Sequence, residues 1–108
     1  MLKGTIIENS LADKSLLKKV KIMATRQDGD WILHDVLVDE MQVPEIAKAI
    51  SDGPWYIHLW QSGEDEFLIL YKDKSFRVRK SDPTSFADAF AYGKSIGIPE
   101  EQLDFPTN

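Results

Sequence analysis

The sequence predicts an α+β domain: a mainly antiparallel sheet of five to six strands carrying two helices, in the order β-β-β-α-β-β-β-α. Three observations carry the prediction. Residues 54–80 hold three short runs rich in aromatic and β-branched residues, separated by turn-forming pairs. Earlier runs of the same kind flank Asp28-Gly29, the best turn signal in the first half. Helical spacing with start and stop signals occurs in only two places, after Pro44 and after Asp82. Successive hairpins favour antiparallel pairing with helices on one or both faces. The 108 residues match one common domain size, and neither repeat nor low-complexity block divides them.

Taken in order, Leu2–Glu8 reads as a first strand. Asp13 can cap a helical turn carrying Leu16 and Leu17. The alternation Val20, Ile22, Ala24 suggests a strand from Lys19 to Thr25, with Lys19 and Lys21 outside. Trp31–Val38 is its hairpin partner by intrinsic preference, with a helix as the rival. Pro44 suits a first helical turn, where its missing N–H costs nothing. Ile46, Ala47 and Ile50 then form one apolar stripe, with Gly53 as terminator. The second helix starts at Asp82 or Thr84. It presents Phe86, Ala89, Phe90 and Gly93 to the sheet and ends near Gly97, with Ile98 folding back. A short turn over Pro99–Leu103 follows, with Leu103 and Phe105 anchoring the tail.

The three strands between are Trp55–Trp60, Phe67–Tyr71 and Ser75–Arg79. Two-residue loops at Ser62-Gly63 and Asp73-Lys74 set Trp60 opposite Asp65 and Tyr71 opposite Phe76. Side chains alternate across a strand, so one face collects Tyr56, His58, Trp60, Phe67, Ile69, Tyr71, Phe76 and Val78. The other collects Trp55, Ile57, Leu59, Leu68 and Leu70, with Arg77 and Arg79 beside them. A four-residue loop preserves these sets, and a three-residue loop scrambles them. The aromatic face is the expected core. The second face is either covered by a helix or is an exposed apolar patch rimmed by arginine, the kind that marks contact sites.

Composition bounds function. With no cysteine, disulfides, thiolate metal sites and cysteine nucleophiles are excluded. No apolar run approaches the ~20 residues that span a bilayer, and the opening residues do not form a signal peptide, so the expected location is the cytoplasm. The net charge of -5 is uneven. Residues 1–27 hold six basic and two acidic side chains, residues 28–66 one and ten, and residues 67–80 five and one. An acidic chain is a poor general nucleic-acid binder, which leaves only a local stripe of Lys18, Lys19 and Lys21 with Arg77, Arg79 and Lys80.

The chemistry-bearing residues are sparse. His34 and His58 could share a pocket with Tyr56 and Trp60 if their strands adjoin. A zinc site there would need a third ligand such as Asp35 or Asp39, and no HxH or HExxH spacing supplies one, so no metal and no cofactor is expected. Eight serines offer candidate nucleophiles without a G-x-S-x-G elbow to select one. Glu64, Asp65 and Glu66 sit at a hairpin, where solvent keeps carboxylates ordinary. Gly93-Lys94-Ser95 lies at a helix end rather than a helix start, the wrong electrostatics for a phosphate loop. Trp31, Trp55 and Trp60 suit a core, a ligand pocket or an interface.

Gly53–Trp60 and Tyr92–Phe105, together with Trp31–Asp35, resemble a family of small uncharacterised prokaryotic proteins. The resemblance implies a compact cytoplasmic protein and no assigned activity. Apolar patterning on both sheet faces in a chain with only two helices makes a non-enzymatic binding or protein-interaction module the leading functional expectation. It would use Trp55, Ile57, Leu59, Leu68, Leu70, Arg77 and Arg79, with a protein partner or a second copy as occupant. The alternatives are a small enzyme or ligand binder around His34, Tyr56, His58 and Trp60, and a weak nucleic-acid binder using the basic stripe.

Overall fold

The computed structural model describes residues 1–103. Six strands form one antiparallel sheet: β1 (Leu2–Ile7), β2 (Lys21–Asp28), β3 (Trp31–Val38), β4 (Ile57–Trp60), β5 (Glu66–Tyr71) and β6 (Lys74–Arg79), in the spatial order β2-β3-β1-β4-β5-β6. Two helices, α1 (Val43–Ala49) and α2 (Ala87–Ser95), follow β3 and β6. The α+β class and the element order agree with the sequence reading. Phe105 falls outside the described residues.

Local chemistry explains the element ends. The Asp13 carboxylate accepts from the Ser15 N–H and starts a 3-10 turn over Lys14–Lys18 that buries Leu16. Asp39 and Gln42 form a reciprocal capping box immediately before α1. Asp82 accepts from the Thr84 N–H, starting the 3-10 turn Pro83–Phe86 that leads into α2. Gly97 adopts φ 96°, and the Ile98 N–H returns to the Gly93 carbonyl, closing the C-terminal turn of α2. Helix α1 stops at Ala49, four residues ahead of Gly53, because Ile50 turns to extended backbone and bridges Leu11.

Both hairpins of the second half shift from the two-residue prediction. Trp60 faces Phe67 rather than Asp65, leaving Gln61–Asp65 as the loop. Tyr71 faces Lys74 rather than Phe76, with Lys72-Asp73 as the turn and Asp73 at φ 59°. Each shift is two residues, so the alternation of side chains survives it. The first hairpin turns at Gly29-Asp30, one residue later than predicted, with Gly29 at φ 61°.

The preserved parity gives two cores, one on each side of the sheet. Phe67, Ile69, Tyr71 and Val78 pack with Ala89 of α2 and with Ile98 and Leu103. Ile57, Leu59, Leu68 and Leu70 pack with Ile46 and Ile50 of the α1 segment, with Leu11 and Leu16, and with Ile6, Val36 and Val38. At ~1.5–3 kcal/mol for each large apolar side chain fully removed from water, the second core contributes as much as the aromatic one. Of the two readings the sequence left open, the covered face holds, and the docking patch expected of Trp55, Ile57, Leu59, Leu68, Leu70, Arg77 and Arg79 is corrected: Ile57, Leu59, Leu68 and Leu70 are 4% exposed or less, packed with α1 and the 3-10 turn. The short helix was legible, but not its position across these four residues.

Strand β2 also departs from its predicted pattern. All eight of its residues are exposed, and Val20, the buried residue, lies just before it. A register shift between Ile22 and Ala24 breaks the alternation. β2 is an edge strand, and the bulge at Met23 together with Lys21 and Arg26 guards it against pairing with another strand. Helix α2 lies over the β4-β5-β6 half of its face, and the β2-β3-β1 half of that face carries half-buried Thr5, Leu33, Asp35 and Leu37.

Candidate functional site

The sheet separates the two histidines. Ile6 pairs with His34 and belongs to the α1-side core, whereas His58 pairs with Ile69 of the α2-side core. Their imidazoles therefore lie on opposite faces, and a shared pocket or metal site between them is ruled out by strand parity. Among the described residues no three His, Asp or Glu side chains cluster in a way that could hold a metal ion.

His34 is buried with both ring nitrogens engaged. Nδ1 lies 2.9 Å from Thr25 Oγ1, and Nε2 lies 3.0 Å from Glu8 Oε1. The arrangement is an acid–imidazole–hydroxyl relay that ties the end of β1 to the edge strand. Sequence reasoning missed it, because Glu8, Thr25 and His34 share no local spacing. The hydroxyl belongs to a β-branched residue within a strand, and the relay satisfies a buried imidazole that would otherwise carry unpaired polar atoms.

His58 has a different environment. Its ring stacks on Trp60, with centroids 4.9 Å apart, and meets Phe67 edge-on at 4.7 Å. Nε2 is fully enclosed and has no hydrogen-bond partner among the described residues. Burial, assisted by the nearby positive charge of Lys80, pushes the imidazole pKa down from 6.5 to about 4, so the ring is neutral at neutral pH.

Beside this stack lies a cleft of about 770 Å³. His58 and Trp60 form its aromatic wall, Ser62–Asp65 of the β4–β5 loop its rim, and Lys80 its cationic corner. The loop is fixed from below. The Asp65 carbonyl accepts from the Lys80 N–H at 2.9 Å, and the Asp65 carboxylate accepts from the Ser81 hydroxyl at 2.6 Å and the Ser81 N–H at 2.8 Å. These bonds hold the Asp65 pKa below its ordinary value. Gly63 supplies the left-handed residue at φ 84° that the loop requires. Lys80 is half-buried and makes no ion pair among the described residues. Trp60 also walls a smaller groove of about 350 Å³ over Thr5, Met23, Asp35 and Leu37.

The remaining predicted residues lie elsewhere. Tyr56 shares the face of His58 but donates its hydroxyl to the Gln102 carbonyl at 2.7 Å and lies near Tyr71 rather than in the cleft. Trp55 packs half-buried on the α1-side core and meets Trp31 edge-on at 5.5 Å. Arg77 bridges Glu40 and Glu66, and those hydrogen bonds raise its pKa further. Arg79 is exposed, and its backbone N–H donates to Ser85 Oγ at 2.9 Å. The basic stripe is divided as well: Lys21 and Arg77 lie on opposite edge strands, and Lys19 pairs with Glu45 at 2.6 Å.

Of the cleft residues, His58 and Trp60 were legible as same-face neighbours two positions apart. Lys80 was not, because only the β5–β6 pairing brings it to the loop. No family model, curated protein or solved structure matches this chain. No helix among the described residues is long and apolar enough to cross a membrane.

Proposed function

We propose that the protein is a non-enzymatic binding module whose site is the cleft between the β4–β5 loop and Lys80. The observation that carries this reading is the half-buried residue Lys80, which makes no ion pair among the described residues and lines the cleft together with the stacked His58–Trp60 pair. Binding sites typically combine such an apolar wall with a few placed polar groups. With Nε2 enclosed and its pKa pushed down to about 4, the imidazole is poorly matched to proton transfer near neutral pH, which favours binding over acid–base catalysis. A cytoplasmic setting and a prokaryotic origin belong to the same proposal.

The test is a protein-observed NMR screen with small fragments of mixed charge and shape. Hits are expected to shift the Trp60 indole N–H and the amides of residues 62–65, and to be lost in Trp60→Leu while the rest of the spectrum stays native. Hits confined to other surfaces, or no hits at all, would overturn the reading.

A further inference from the structure

Resting on that reading of the cleft, we propose that its occupant is a small planar aromatic monocarboxylate, with its ring extending the His58–Trp60 stack and its carboxylate on the Lys80 ammonium.

Shape supplies the first part of the argument. The His58 and Trp60 rings are stacked within 28° of parallel and both line the cleft, so a planar aromatic group suits this lining. His58 Nε2 is enclosed and offers the cleft no hydrogen bond.

Charge supplies the second. Three charged side chains border the cleft: Lys80, Asp65 and Glu64. Asp65 already has both oxygens engaged by Ser81. Glu64 is exposed on the loop rim, with its N–H donated to the Gln61 carbonyl. Lys80 alone is half-buried, and it is the one cation of the three, able to form a charge-assisted hydrogen bond with an incoming anion. Lys19, Arg26, Arg77 and Lys94 have carboxylate partners already, and of the cations without one among the described residues Lys80 is the one that lines this cleft. The same three charges limit the ligand's charge. One ammonium can balance one negative charge, but Asp65 and Glu64 repel a second, so a phosphate dianion fits poorly. A cationic ligand would have to approach the ammonium itself.

An isosteric series tests this on the full chain by NMR titration: 2-naphthoate, 2-naphthylmethanol and 2-naphthylmethylammonium. The expected result is that 2-naphthoate shifts the Trp60 indole N–H and the amides of residues 62–65 at least fivefold more tightly than the other two. In Lys80→Gln its affinity is expected to fall to that of the alcohol. The variant keeps the Lys80 backbone bond to Asp65, and its native spectrum serves as the folding control. If the alcohol or the ammonium compound binds the cleft as tightly as the carboxylate, the monoanion assignment is wrong while the cleft stands. If Lys80→Gln binds naphthoate unchanged, the role of Lys80 is wrong. If none of the three moves the cleft resonances, the ligand class and the cleft both fall.

Discussion

Replacing His58 with Phe tests the physical account of the site most directly. The imidazole sits between Trp60 and Phe67, and burial holds its pKa at about 4, against 6.5 for an unperturbed ring. Because the folded value is depressed, the unfolded chain takes up a proton near pH 6.5 while the folded chain resists until about pH 4. The contribution to stability is therefore complete above pH 6.5 and is lost as pH falls toward 4. At about 1.4 kcal/mol per pK unit, the interval corresponds to roughly 3 kcal/mol. Since the ring keeps some contact with solvent, about 2 kcal/mol is the expected loss. His58→Phe keeps the stacked ring and removes both the titration and the unpaired Nε2. It should match or exceed the wild type by about 1 kcal/mol at pH 7, and the gap should widen as pH falls to 4. The assay is urea unfolding at half-unit steps from pH 7.5 to pH 4, followed by tryptophan fluorescence and circular dichroism. Asp13, Asp35 and Asp65, whose hydrogen bonds lower their pKa values, lose their contributions below the ordinary carboxylate range in both proteins and cancel in the difference. Parallel stability curves for the two proteins across this range would refute the account of a buried, neutral His58.

Two further predictions concern the cores. In Gly93→Ala the new Cβ would stand 2.6 Å from Leu103 Cδ2 and 2.7 Å from the Tyr71 hydroxyl, which itself donates to the Ala89 carbonyl of α2. Chemical denaturation should show a loss of about 1–3 kcal/mol, and an unchanged midpoint would mean that α2 sits further from the sheet. Leu70→Ala, at a fully buried position under α1, should cost about 2–5 kcal/mol, whereas Arg77→Ala, which breaks exposed ion pairs, should cost under about 1 kcal/mol. Equal effects at the two positions would contradict the burial that removes the arginine-rimmed patch.

The register of the second half shows how far the residue pattern reaches. Both predicted loops were off by two residues, yet Trp55–Arg79 still sorted into the observed faces, because a two-residue slip leaves side-chain direction unchanged. Strand β2 failed for the complementary reason. Its alternation of Val20, Ile22 and Ala24 implied an inward row, but the bulge at Met23 reverses direction midway, and an edge strand can leave Ile22 in water. The Thr25–His34–Glu8 relay was invisible, since its three members come from separate elements and meet only through sheet pairing.

The residue pattern alone determined the class of fold, the two helices with the Asp82 start and Gly97 end of the second, and the division of the central strands into an aromatic and an aliphatic side, because capping, turn preference and pleat alternation act over a few residues. Packing decided what covers each side. Helix α1 and the Leu16 turn cover Ile57, Leu59, Leu68 and Leu70, the sheet places His34 and His58 back to back, and strand pairing carries Lys80 to the rim beside Trp60. Those outcomes depend on contacts between residues far apart in the chain, and short-range preferences carry no information about them.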